Sequence, residues 1–219
     1  MTKSLAQPST ADGRTRAAQT HAKELARVGP NAVIQLLGVL REAADPGTVQ
    51  RIVAAAGAEA WAKSLPTDMV EERPVAALHR ATRATLDPET AQKVLTEAGA
   101  RTGAYLLANR IPVWARAILK ALPARISSRM LAKAITAHAW TFVGSGRFVC
   151  DPAAGPVFEI GSNPFCAGER YDRPICVWHA AVFETLYQAL VSPAATVVET
   201  DCCARGDACC RFAVHGIRR

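Results

Sequence analysis

Three short runs, Trp140-Thr141-Phe142-Val143, Arg147-Phe148-Val149-Cys150 and Val157-Phe158-Glu159-Ile160, decide how this chain is read. Each is rich in β-branched and aromatic residues. They are separated by Gly144-Ser145-Gly146 and by Asp151-Pro152-Ala153-Ala154-Gly155, both turn compositions, so they are expected to form consecutive antiparallel strands. Upstream the pattern differs. From Thr15 to His138 the chain is Ala- and Leu-rich, with apolar residues at helical spacing (Val33, Leu36, Leu37, Leu40), and it is interrupted at Gly29-Pro30, Asp45-Pro46-Gly47, Pro66, Asp87-Pro88, Ile111-Pro112 and Pro123. Six or more short helices are expected there. One starts at Asp87, an N-cap residue followed by a proline whose missing N–H costs nothing at the first helical position.

Downstream of the strands, Arg173-Pro174 opens a further helix. Its core-facing stripe is Ile175, Trp178, Val182, Leu186 and Leu190, and Ser192-Pro193 closes it. Residues 194–200 and 210–215 then read as a hairpin, with Val197, Val198, Phe212 and Val214 flanking a turn that contains Gly206-Asp207. The expected class is α+β, an N-terminal helical region followed by an antiparallel sheet packed against helices. Residues 1–14 read as a polar tail, 15–99 as the helical N-terminal region, and 100–219 as the α+β domain.

Composition narrows the classes of function. With 219 residues, half of them hydrophobic, the chain is long enough to bury a sizeable core. No uninterrupted apolar run is long enough to span a bilayer, and the polar N-terminus lacks a signal-peptide core, so a cytoplasmic protein is expected. Residues 1–139 hold 19 Lys/Arg against 11 Asp/Glu, whereas the remainder holds 7 against 8. Between Ala98 and His138 stand Arg101, Arg110, Arg116, Lys120, Arg125, Arg129 and Lys133, and no acid. This basic stretch suits an anionic lipid surface, an acidic partner or the carboxylates of a small ligand, or else it is a solvated helical face. Nucleic acid is not expected, because no recognised binding motif accompanies it.

All seven cysteines lie at or beyond Cys150. In a reducing compartment such clustering points to metal or redox chemistry rather than disulfides. Cys176, Glu199, Cys202 and Cys210 make a plausible tetrahedral set for a structural Zn²⁺. Cys176 would sit in the first turn of its helix, where unpaired N–H groups stabilise a thiolate. Glu199 and Cys202 differ by an odd number and would face opposite ways on a regular strand, so the strand must end or bulge near Thr200 for both to reach one ion. Four anionic ligands would leave a local charge of about −2, with Arg173, Arg205 and Arg211 as candidates to offset it. Alternatively Cys202 and Cys210 are ordinary buried cysteines. Cys203 and Cys209 are alternative ligands, and Cys150 and Cys166 are expected in the core. An iron–sulfur cluster is disfavoured by the spacing of the two adjacent-cysteine pairs.

The segment Cys176 … Glu199-x-x-Cys202-x-x-x-Gly206-Asp207-x-x-Cys210-x-Phe212 resembles the vinyl-4-reductase domain. Together with Tyr105 to Pro112, His138 to Gly146 and Cys176 to Glu184, it is similar to the bacteriochlorophyll 4-vinyl reductase family of phototrophic bacteria over roughly residues 100–216. The resemblance implies a role in bacteriochlorophyll synthesis on a magnesium tetrapyrrole. It also implies an α+β fold shared with aromatic-sensing regulators and transport-complex subunits, and a homodimer. In the sensors, zinc is held by Cys, Glu, Cys and Cys in this order and spacing, which carries over to Cys176, Glu199, Cys202 and Cys210.

A reductase needs a hydride or electron source, and no G-x-G-x-x-G loop after a strand is present in the sequence. A carrier or chaperone for a Mg-tetrapyrrole is therefore preferred. The alternatives are a true reductase fed by an external donor and a zinc-stabilised regulatory or scaffold domain. The candidate ligand residues are the aromatic set Trp140, Phe142, Phe148, Phe158, Phe165, Trp178 and Phe183, with Arg110, Arg116 and Arg147 for carboxylates. His138 and His179 are candidate axial ligands to magnesium. Other pathway enzymes are expected partners, and a peripheral membrane contact is expected because such pigments partition into lipid.

Overall fold

The computed structural model describes residues 26–151 and 156–218, so the polar tail and most of the 151–155 turn lie outside the described residues. A two-stranded antiparallel ribbon of β1 (Arg27–Val28) and β2 (Val70–Glu71) brackets the first three helices, α1 (Asn31–Ala43), α2 (Pro46–Ala55) and α3 (Glu59–Lys63). Four more helices follow: α4 (Glu72–Thr85), α5 (Pro88–Asn109), α6 (Val113–Ala121) and α7 (Ala124–Ala137). The start of α5 is as the sequence dictates, with the Asp87 carboxylate accepting the Thr90 N–H at 3.0 Å and Pro88 opening the first turn. Asp45 and Pro46 repeat the device on α2.

The second half is a four-stranded antiparallel sheet in the order β3 (Arg147–Asp151), β4 (Val157–Gly161), β6 (Cys210–His215) and β5 (Thr196–Asp201), with α8 (Val177–Leu190) packed on it. Alternation decides the faces. Phe158, Ile160, Cys210, Phe212 and Val214 point into the core, while Glu159 and Arg211 pair across the outer face at 2.8 Å. The helical stripe is as expected, with Trp178, Val182, Leu186 and Leu190 all buried. The fold is α+β, its helices lying mostly N-terminal to its strands.

The long helix α5 crosses α8 at very short range, and two glycines one turn apart permit it. A Cβ on Gly99 would fall 2.9 Å from the Ala181 Cβ, and one on Gly103 would fall 2.7 Å from the Thr185 Cβ. This contact ties the N-terminal helices to the sheet half, and a single apolar cluster runs through both.

One expected strand is not a strand. Residues Ala139–Thr141 form a 3₁₀ turn that continues α7, held by the Thr141 hydroxyl donating to the His138 carbonyl and by the Phe142 N–H donating to the Ala139 carbonyl. Trp140 is 62% exposed and has no strand neighbour to pack against, so β-propensity had nothing to act through. The following Gly144-Ser145-Gly146 turn is pinned from a distance, because the buried Glu72 carboxylate accepts both the N–H and the hydroxyl of Ser145 at 2.6 Å. Gly144 sits at φ +55° directly against that carboxylate, a place no Cβ can occupy.

Candidate metal centre

Four cysteine sulfurs converge where β4, α8 and the β5–β6 hairpin meet. Cys166 ends a 3₁₀ turn (Pro164–Cys166) just after β4, Cys176 is the residue capping the N-terminus of α8, Cys202 follows β5, and Cys210 begins β6. Their Sγ atoms all lie within 4.8 Å of one another. The contacts are 3.6 Å for Cys166–Cys210 and for Cys176–Cys210, and 4.0 Å for Cys176–Cys202 and for Cys202–Cys210. All four residues are buried and none is in a disulfide. A tetrahedron with metal–sulfur bonds of about 2.3 Å has sulfur–sulfur edges of about 3.8 Å, so the spacing fits a single thiophilic ion.

Local backbone explains the convergence. The ladder between β5 and β6 is regular from Thr196 opposite His215 to Glu199 opposite Phe212, and then slips, so that Asp201 faces Arg211. The extra residue is Thr200. This is the irregularity that the odd spacing of Glu199 and Cys202 requires. Beyond it the chain folds into a knuckle in which Asp207 accepts the Cys202 N–H and the Arg205 guanidinium, both at 2.8 Å, and Gly206 takes the left-handed conformation. On the other side Asn163 accepts the Phe165 N–H with its Oδ1 and donates from Nδ2 to the Cys176 sulfur at 3.4 Å. The Cys203 N–H points at the Cys210 sulfur, also at 3.4 Å. Donors aimed at sulfur favour thiolates and hold them in register for a metal.

Electrostatics agree with that role. The pKa of Cys202 is held far below the ordinary thiol value by hydrogen bonds from its neighbours, Cys166 first, then Cys176 and Cys210. The same interactions, again led by Cys166, push the thiols of Cys176 and Cys210 up. One thiolate sharing three S–H donors is a cluster ready to exchange protons for a cation.

Three of the sequence-chosen ligands, Cys176, Cys202 and Cys210, meet, and the fourth corner is filled by Cys166, which the sequence had assigned to the core. Glu199 stands beside the cluster. Its Oε2 accepts the Cys176 N–H at 2.7 Å, and its Oε1 is buried without a hydrogen-bond partner. Burial first, and then the Cys202 charge, raise its pKa to about 8. Among the arginines expected to offset the site, Arg205 is engaged with Asp207 and Asp201, and Arg211 with Glu159 and Asp201. Cys203 and Cys209 lie outside the four-sulfur group. The clue to Cys166 was the Asn163-Pro164 pair. An Asn cap followed by proline forces a tight turn straight after a strand, and so returns Cys166 toward the sheet end.

The candidate ligand residues separate into two sets. Phe142, Phe148, Phe158, Phe165, Trp178, His179 and Phe183 are packed against one another and against Phe212, with ring centroids 4.7 to 6.5 Å apart in the pairs Phe158–Phe183, Phe165–Trp178, Phe142–Phe148 and Phe148–Phe183. That is a core rather than a cleft. His179 is enclosed by Phe142, Phe165 and Trp178, its ring nitrogens without hydrogen-bond partners, and burial lowers its pKa to about 4. Arg110, His138, Trp140 and Arg147 are exposed and Arg116 is half-buried. A cavity of about 50 Å³ lies elsewhere, lined by Arg83, Leu95, Tyr171, Arg173 and Ile175 among others, far below the several hundred Å³ a macrocycle fills.

Residues 156–216, which span β4, α8, the β5–β6 hairpin and all four clustered cysteines, match the vinyl-4-reductase domain. The chain is 49% identical over 186 residues to the bacteriochlorophyll synthase 23 kDa chain of Cereibacter sphaeroides, covering 85% of this chain and 89% of that one. The chain belongs to the bacteriochlorophyll synthase 23 kDa chain family. Its Rhodobacter capsulatus member is 41% identical over 191 residues, with 86% and 87% covered. Both matches extend well beyond the domain at residues 156–216, so the family likeness takes in the helical half as well as the metal centre. No described helix is long and apolar enough to cross a membrane.

Proposed function

We propose that this chain serves bacteriochlorophyll synthesis as an accessory protein that carries a Mg-tetrapyrrole intermediate of the divinyl protochlorophyllide or Mg-protoporphyrin class, on a scaffold stapled by one structural zinc ion. The observation that carries the pathway is the near-full-length likeness to two proteins named as bacteriochlorophyll synthase chains. The zinc rests on the buried four-sulfur group, which joins the end of β4, the start of α8 and the last hairpin. A closed set of protein ligands leaves the ion no open position for substrate, which is the character of a structural site.

The carrier reading places the pigment on the open residues rather than inside the core. Arg110 and Arg116 flank the start of α6, and Trp140 offers an exposed indole next to His138. Guanidinium groups suit the propionate of a macrocycle, and an indole suits its flat face. A homodimer and contacts with other pathway enzymes belong to the same reading, and light scattering on the purified protein measures the former.

Titration of the purified protein with Mg-protoporphyrin or divinyl protochlorophyllide tests the carrier role. A saturable absorption shift that weakens in Arg110→Ala/Arg116→Ala and in Trp140→Ala supports it. No shift leaves the zinc-stabilised scaffold as the function. Turnover of a divinyl pigment by the pure protein with NADPH would make it a reductase instead.

A further inference from the structure

Helix α6 turns its apolar side outward. Leu119 is its buried residue, whereas Val113, Trp114 and Ile118 are 72%, 68% and 45% exposed, and Ala117 and Ala121 on the same side are exposed too. These five positions span less than half of the helical circumference and form one continuous stripe. The adjoining α7 buries Ala124, Ser127, Ser128, Leu131, Ala132 and Ile135. Its outer side carries two rows at four-residue spacing. One row is basic (Arg125, Arg129, Lys133), and the other is apolar (Ile126, Met130, Ala134). Ile126 and Met130 are 47% and 45% exposed.

The two helices are held as a unit. The Ser127 hydroxyl donates to the Leu119 and Leu122 carbonyls, and the Tyr187 hydroxyl donates to the Ser128 carbonyl, which fixes α7 to α8. No aspartate or glutamate occurs in the sequence from Ala98 through Cys150, so this outer surface carries positive charge only.

We propose that the α6–α7 hairpin is a docking surface for an anionic lipid bilayer, with Trp114, Val113 and Ile118 entering the headgroup region and Arg125, Arg129 and Lys133 against lipid phosphates. Charge complementarity decides the occupant. Solvent-facing apolar residues beside an unbroken basic row, with an indole at the most exposed end, are what an interfacial helix requires. A fluid bilayer also accepts two flat helix faces without a shaped groove. The inference is independent of pigment binding and of the metal, since none of these residues touches the cysteine group.

Co-sedimentation with phosphatidylcholine vesicles, with and without phosphatidylglycerol, tests it on the full-length protein. Expected are binding to the anionic vesicles only, weakening as salt rises, and a blue shift of tryptophan emission that is lost in Trp114→Phe. The variant Arg125→Ala/Arg129→Ala/Lys133→Ala should bind on the order of a hundredfold more weakly, at about 1 kcal/mol per basic residue. Trp114→Ser/Ile118→Ser should also bind more weakly while keeping the wild-type melting temperature, because both side chains are exposed. Equal binding by wild type and both variants, or binding to neutral vesicles alone, would overturn the proposal. So would light scattering that shows a dimer abolished by Trp114→Ser/Ile118→Ser together with no vesicle binding, since the face would then join two copies of the chain.

Discussion

The Glu199 carboxylate accepts the backbone N–H of Cys176 at 2.7 Å, tying the bulged end of β5 to the first turn of α8. The four sulfurs already close a tetrahedron, so Glu199 orients a ligand from outside rather than occupying a corner. Glu199→Gln keeps that hydrogen bond and should leave one zinc per chain with affinity lowered by no more than about tenfold, whereas Cys166→Ser removes a corner and should lower it by at least about a hundredfold. Competition with a chromophoric chelator measures both. If the two effects were reversed, the ion would be held by Cys176, Glu199, Cys202 and Cys210, the set implied by the sensor resemblance.

Two fully buried histidines set the acid limit of the fold. Burial depresses the pKa of His79 to about 3 and that of His179 to about 4. Below their unfolded value near 6.5, the unfolded chain takes up protons that the folded chain refuses, so stability falls as pH falls. Each should contribute a slope of about 1.4 kcal/mol per pH unit, between pH 6.5 and 4 for His179 and between pH 6.5 and 3 for His79. His79 retains a hydrogen bond to the Ala32 carbonyl at 3.2 Å, while His179 has none to lose. His179→Phe should therefore be tolerated at pH 8 and should lower the slope by about one proton, as read from urea unfolding across this range.

Close approach of α5 and α8 leaves no room for a methyl group. Gly99→Ala would press on the Trp178 carbonyl and the Ala181 side chain, and neither is the flexible end of a side chain. Helix propensity favours alanine by up to about 1 kcal/mol, but overpacking costs typically about 1–3 kcal/mol, and with backbone as the obstacle the upper end should prevail. The expected result is a net loss of stability in urea unfolding. Gly38 on α1 meets nothing within 4 Å, so Gly38→Ala serves as the control and should stabilise.

Ion pairs in this chain differ by burial. Arg83 and Glu169 form a two-pronged pair with side chains only 7% exposed, and Arg83 also donates to the Phe165 carbonyl at 2.7 Å, next to the Cys166 turn. Glu169→Ala should cost about 3–5 kcal/mol by leaving a buried guanidinium uncompensated. Glu89→Ala, which breaks the exposed pair with Lys93, should cost less than about 1 kcal/mol. Thermal unfolding of the two variants side by side checks the contrast.

What the sequence disclosed, and what it concealed, follows the range of the interactions. The Asp87-Pro88 cap, the stripe of α8 and the β5–β6 hairpin are local signals and lie where the residues indicated. The need for a bulge near Thr200 was legible because it follows from strand parity alone. Trp140 to Val143 carried strand propensity but no strand partner, and so continued α7 as a 3₁₀ turn. The β1–β2 ribbon joins residues some forty positions apart through two pairings, too little for any local pattern to signal. Cys166 escaped because its place depends on the turn after β4 meeting the start of α8 in space. The aromatic residues chosen for a pigment cleft were correctly seen as neighbours, but spacing cannot tell a filled core from a hollow one.

The most direct test of the account is the metal content of the full-length protein purified without added metal. One zinc per chain is expected, released by a strong chelator with a marked drop in melting temperature, and lost in Cys210→Ser. A protein without stoichiometric metal, whose melting is unchanged by chelator and by Cys210→Ser, would show the four sulfurs to be ordinary core packing and would contradict the account.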